Sequence, residues 1–129
     1  MALRSPRLRH GRDWQSLAYM LALPLLVWWQ WTQGFHWLLY GLTLFLTLGT
    51  GVIHHNHTHL RMWHGRRANR LTDYWLTLLQ GHPTFVFWPA HVGNHHRFRH
   101  GPRDIARTYR PEFGGDTNHL WGYLLHPLQ

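Results

Sequence analysis

Two apolar runs without a single Arg, Asp or Glu, Leu17–Trp31 and Phe35–Ile53, constrain this chain more than anything else in it. The first, LAYMLALPLLVWWQW, is apolar apart from Gln30; the second reads FHWLLYGLTLFLTLGTGVI, and Thr32-Gln33-Gly34 separates them. Roughly 20 residues of helix cross a bilayer core of about 30 Å. The pattern predicts two membrane helices joined by a tight turn, with Pro24 tolerated as a kink inside the first. A cleaved signal peptide would share the basic start and the apolar stretch, but the stretch ends in bulky WWQWTQG and offers no small-residue cleavage site. The mean hydropathy is mildly negative only because the polar residues are segregated elsewhere.

Charge then orients the hairpin. All 13 basic residues are Arg, against five acids, for a net charge of +8 with neutral histidine. Arg4, Arg7, Arg9 and Arg12 precede the hairpin, Arg61, Arg66, Arg67 and Arg70 follow it, and the turn carries none. The positive-inside rule puts both ends on the cytoplasmic side of the inner membrane, with Trp28, Trp29, Trp31 and Trp37 as an aromatic belt at the outer turn and Trp14 near the inner face. Three segments follow: a basic cytoplasmic tail over 1–13, a two-helix transmembrane hairpin over 14–53, and a cytoplasmic-face region over 54–129. The Arg side chains of that region, through Arg97, Arg99, Arg103, Arg107 and Arg110, lie nearest to anionic lipid headgroups rather than nucleic acid.

In the third segment, Leu71, Tyr74, Trp75, Leu78 and Leu79 recur at helical spacing, which predicts a short helix with one apolar face lying flat on the membrane interface. His82–Ala90 is apolar, bracketed by prolines and too short to span, so it reads as re-entrant or packed. Leu120–Leu125 begins a third apolar run that is cut off at Gln129.

With no cysteine, imidazole and carboxylate are the only strong metal ligands, and there are 14 histidines. Eight of these fall in HHNHTH (54–59) and HVGNHHRFRH (91–100). If the second helix continues past Ile53, His55 and His59 share one face a turn apart and reach a single metal. His91, His95 and His96 form an HxxxHH pattern; adjacent His95 and His96 diverge on a helix and suit a site with two metals. The isolated His10, His36, His64, His82, His119 and His126 read as ordinary hydrogen-bonded groups, although a histidine inside a membrane span, as expected for His36, usually has a role.

A hairpin followed by HNHTH, an amphipathic helix and HVGNHH resembles the membrane fatty acid desaturase and hydroxylase superfamily, from Trp14 onward. The resemblance implies an all-α membrane protein, a transmembrane hairpin plus cytoplasmic interfacial helices, amounting to half of a desaturase-like four-helix fold. It matches His55 and His59 to the first histidine box and His91, His95 and His96 to the second; His54, His57 and His100 have no assured counterpart. It implies non-haem di-iron that activates oxygen to attack an acyl C–H bond, with the lipid chain lying against Trp75 and Phe85–Trp88 and electrons from a separate redox protein. Asp73 or Asp104 would orient the ligand imidazoles.

The family's third box and second pair of membrane helices would lie beyond Gln129, so the expectation is a truncated N-terminal half whose five box histidines hold metal less completely than a full set. Three readings stay open. The chain is an oxygen-dependent lipid desaturase or hydroxylase half-site completed by a partner; or a non-catalytic, desaturase-derived subunit, its iron site empty, that stabilises a larger respiratory or photosynthetic membrane complex; or a binder of metal, haem or pigment through a histidine such as His36.

Overall fold

The computed structural model describes residues 6–107 and 119–121. The chain forms two compact units, Met1–Phe85 and Val86–Gln129. Its order is α1 (Asp13–Gln33), α2 (Trp37–His59), α3 (Arg66–Gln80), α4 (Thr84–Trp88), a π-helical segment (Pro89–His95) and the single turn α5 (His96–Phe98). The described residues are mostly helical and contain no strand, only an isolated antiparallel bridge between Leu8 and Trp63. The all-α expectation holds.

In the first unit, α1 and α2 pack as an antiparallel pair. Asp13 stands in the first turn of α1, where a carboxylate suits the positive end of the helix dipole. Gly34 ends the helix at φ +100°, a conformation that side chains rarely adopt, and its N–H bonds to Gln30 O. Across the pair, Gln30 Nε2 donates to Thr43 Oγ1 at 3.0 Å. Further down, Gly49 lets the backbones close: a Cβ there would lie 2.5 Å from Tyr19 Cε1. Thr43, Thr47, Thr50 and Thr58 each return their hydroxyl to a carbonyl one turn earlier in α2, so none of these four hydroxyls needs water.

Among the described residues one helix, Trp37–His59, is long and apolar enough to cross a membrane by length and composition, and 17% of its apolar window is buried. On that measure α1 falls short of the expected second span. Its aromatic residues are Trp and Tyr, whose polar tips favour an interface over a hydrocarbon core, and Gln15 and Gln30 dilute it further.

The buried core is small: Met20, Met62 and Leu76, with Leu8, Leu17, Ile53, Trp63 and Leu79 packed against it. Just before α1, residues 7–9 run alongside residues 62–64: Arg9 N bonds to Met62 O and His64 N to Arg7 O. Helix α3 packs inward through Asn69, Thr72 and Leu76 and leaves Leu71, Tyr74 and Leu78 exposed. Of the apolar stripe expected from spacing, Leu71, Tyr74 and Leu78 face outward, while Leu79 packs against the core and Trp75 turns its indole to Met20. Two contacts fix α3 in place. Asn69 clamps both backbone groups of Trp63, at 2.9 and 2.8 Å, and Trp75 Nε1 donates to Met20 O at 3.0 Å.

Within the 82–90 segment α4 covers Thr84–Trp88, with Phe85, Val86 and Trp88 exposed, so of the two expectations, re-entrant or packed, packing within this chain is not what these side chains do. His36 sits exposed in the turn before α2 instead of within a span. The apolar run expected at Leu120–Leu125 lies outside the described residues beyond Trp121.

Candidate metal centre

Helix α2 does run past Ile53 to His59, so the first histidine cluster is helical throughout. His55 and His59 share a face, their ring centroids 4.7 Å apart. His54 and His57 point the other way and are buried. His54 stacks on His82 at 4.8 Å. His57 Nδ1 accepts the Met62 N–H at 3.2 Å, which puts its proton on Nε2; that nitrogen lies 3.4 Å from Asp73 Oδ1. The Arg61 guanidinium pairs with the same oxygen. Burial disfavours the charged form of Asp73, but His57 and Arg61 outweigh it and hold the carboxyl below its ordinary value.

Asp73 therefore orients a histidine, as expected, but the one it meets is His57 rather than a predicted ligand. Asp73 and His57 tie the last turn of α2 to α3, and His55 and His59 project from the opposite face of that turn. A cleft of ≈ 310 Å³ between the start of α1 and the end of α2 is lined by His10, Asp13, Asn56 and His57 and opens onto His59.

The second cluster, in the other unit, is built on a π-helix. Its i→i+5 repeat brings residues five apart onto one side. His91 and His96 thereby meet, Nε2 to Nε2, at 3.2 Å. The separation is that of an N–H···N hydrogen bond between the two rings, and it also falls in the span of about 2.8–3.4 Å that two nitrogens bound to one ion at roughly 2.0–2.1 Å show between right-angle and tetrahedral geometry. Phe87 stacks on His91 at 5.0 Å and fixes its plane. An ideal α-helix would have offered His91 and His95 instead. Here His95 lies stacked beside His91 at 5.4 Å and turns its Nδ1 to Asp104 Oδ2 at 2.7 Å.

Asp104 is buried and well supplied with donors: His100 N–H reaches Oδ2 at 2.7 Å and Ala106 N–H reaches Oδ1 at 2.9 Å. Burial works against its ionisation, but those two amides and His95 prevail and lower its pKa. Asn94 staples the same loop through Arg103 O and Ile105 N–H. His100, which sequence reading left without a role, returns to within 4.8 Å of His95. Its signal was its place one turn beyond the box.

Both clusters have donor sets that suit a metal ion, and His95, His100 and Asp104 each present a ligand atom within 4.8 Å of the others. The fold and these sites together define a helical protein with histidine clusters able to bind metal. Comparison with family models, curated proteins and solved structures finds no match to this chain.

Proposed function

We propose that this chain is a membrane-embedded, metal-binding protein of the histidine-box desaturase and hydroxylase type, acting on lipid acyl chains as a half-site with a partner. The observation that carries the reading is the His91–His96 pair, whose 3.2 Å nitrogen separation matches two ligands of one ion. His55 and His59 in the first unit, and His91, His95 and His96 in the second, are the residues that would hold non-haem iron. When bound, iron supplies the oxygen chemistry needed to oxidise an unactivated C–H bond.

The protein's own part is to present and orient imidazoles. Phe87 stacking fixes the plane of His91, Asp104 sets the Nδ1–H tautomer of His95, and the Asp73–His57 contact steadies the turn that carries His55 and His59.

The membrane setting is supported by α2, whose apolar window is only 17% buried, the reverse of a soluble core helix. Lipid is its natural cover. In this reading α1 and α2 form a hairpin in the inner membrane, both ends are cytoplasmic, and the exposed Arg66, Arg67 and Arg70 of α3 meet anionic headgroups.

A second reading, a scaffold subunit of a larger membrane complex, is favoured by the outward stripe Leu71, Tyr74 and Leu78, which suits a partner helix as well as lipid. Lipid analysis of membranes from cells with and without the chain, run with identification of copurifying proteins, separates the two. Desaturated or hydroxylated acyl chains that vanish in His91→Ala/His96→Ala support the catalytic half-site. Unchanged lipids with a stable large complex support the scaffold, and neither product nor complex overturns both.

A further inference from the structure

We propose that His95, His100 and Asp104 form a metal centre of their own, a two-histidine, one-carboxylate site for a divalent first-row transition ion. The inference rests on the second cluster being metal-binding and assigns His95 away from the His91–His96 pair.

Several independent features converge on this triad. One ligand atom from each of the three residues lies within 4.8 Å of the other two. Asp104 is buried, at 2% exposure, and a carboxylate in such a place is retained only with strong partners. Its Oδ2 accepts the His100 amide and the His95 imidazole, both at 2.7 Å. The amide contact is fixed by the loop, whereas the imidazole contact is exchangeable. An ion between His95 Nδ1 and Asp104 Oδ2 needs them to part by only a few tenths of an ångström at bond lengths of about 2.0–2.2 Å. The His95 proton then sits on Nε2, so the ligand stays neutral.

The backbone supplies the second argument. Arg99 and His100 are consecutive non-glycine residues at φ +42° and +65°, a left-handed conformation that side chains rarely adopt. That double reversal folds the chain back so that the His100 ring stands edge-on to His95, ring centroids 4.8 Å apart. Asn94 and Asp104 hold the loop in that shape. The result is the ligand set of a facial triad, which leaves further positions on the ion open.

The site explains why the adjacent His95 and His96 diverge. His96 joins His91, and His95 joins His100 and Asp104, so one box serves two ions.

The test is Co²⁺ titration of the full chain in detergent, followed by visible absorption. His100→Gly removes the imidazole and tolerates the left-handed backbone, and His100→Asn does the same while keeping a polar side chain. The wild type should bind one more Co²⁺ per chain than either His100 variant, and His91→Ala/His96→Ala should keep the equivalent that the His100 variants lose. Equal stoichiometry in wild type and both His100 variants overturns the inference, as does loss of that equivalent only with His91 and His96. If His91→Ala/His96→Ala changes nothing while the His100 variants lose an ion, the paired chelate fails and the triad stands.

Discussion

Trp75 donates its indole N–H to the carbonyl of Met20 at 3.0 Å, and Met20 is the residue whose carbonyl Pro24 leaves unserved. In a regular helix the N–H of residue 24 would bond to that oxygen; proline has no N–H to give. The carbonyl that the proline frees in α1 is thus a docking point for α3. Trp75→Phe strands the acceptor and should lower unfolding stability in detergent by about 1–3 kcal/mol. Pro24→Ala returns the intrahelical donor, so the same tryptophan substitution should cost less in that background. A double-mutant cycle in thermal or denaturant melts checks this, and identical costs in both backgrounds would contradict it.

Leu48 stands at the middle of α2 and is 74% exposed. On the surface of a soluble protein an arginine there would be nearly neutral. In a lipid-facing helix it should cost about 2.5–3.5 kcal/mol of insertion. Leu48→Arg should therefore shift the chain from the alkaline-resistant membrane fraction toward the extractable one, and unchanged fractionation would argue against a lipid-facing α2.

Asp73 gives the first unit an acid sensitivity. Its carboxyl, lowered from the ordinary value of 3.8, is more acidic in the folded protein than in the unfolded chain. The stabilisation is fully present above the unfolded value and is lost as pH falls through the folded one. Melting temperature should hold near neutrality and drop below about pH 4. Asp73→Asn should melt lower at pH 7 and show a shallower acid slope, with Asp104, lowered for its own reasons, supplying a remaining slope. A slope unchanged in Asp73→Asn would remove Asp73 from the account.

The helical hairpin and the continuation of α2 through His55 and His59 were legible in the sequence, because both depend on apolar periodicity and charge segregation along one segment. The stripe of α3 was legible only in part: Leu71, Tyr74 and Leu78 are exposed as an interfacial face requires, but Leu79 packs on the core, Trp75 is held by Met20, and Asn69 and Thr72 find partners in Trp63, contacts that spacing does not encode. The π-helix left no signal either. HVGNHH reads as ordinary α-helix, in which His91 and His96 fall on different sides, and the i→i+5 repeat brings them together. Long-range contacts such as the bridge of Leu8 to Trp63 lie beyond any local pattern.

Metal binding by these histidines is open to direct test by anaerobic Fe²⁺ titration of the chain purified in mild detergent. Stoichiometric iron with imidazole-rich coordination in X-ray absorption is expected, reduced in His91→Ala/His96→Ala while the helical content is unchanged. Absence of stoichiometric iron in the wild type, or the same iron content in the variant, would contradict it.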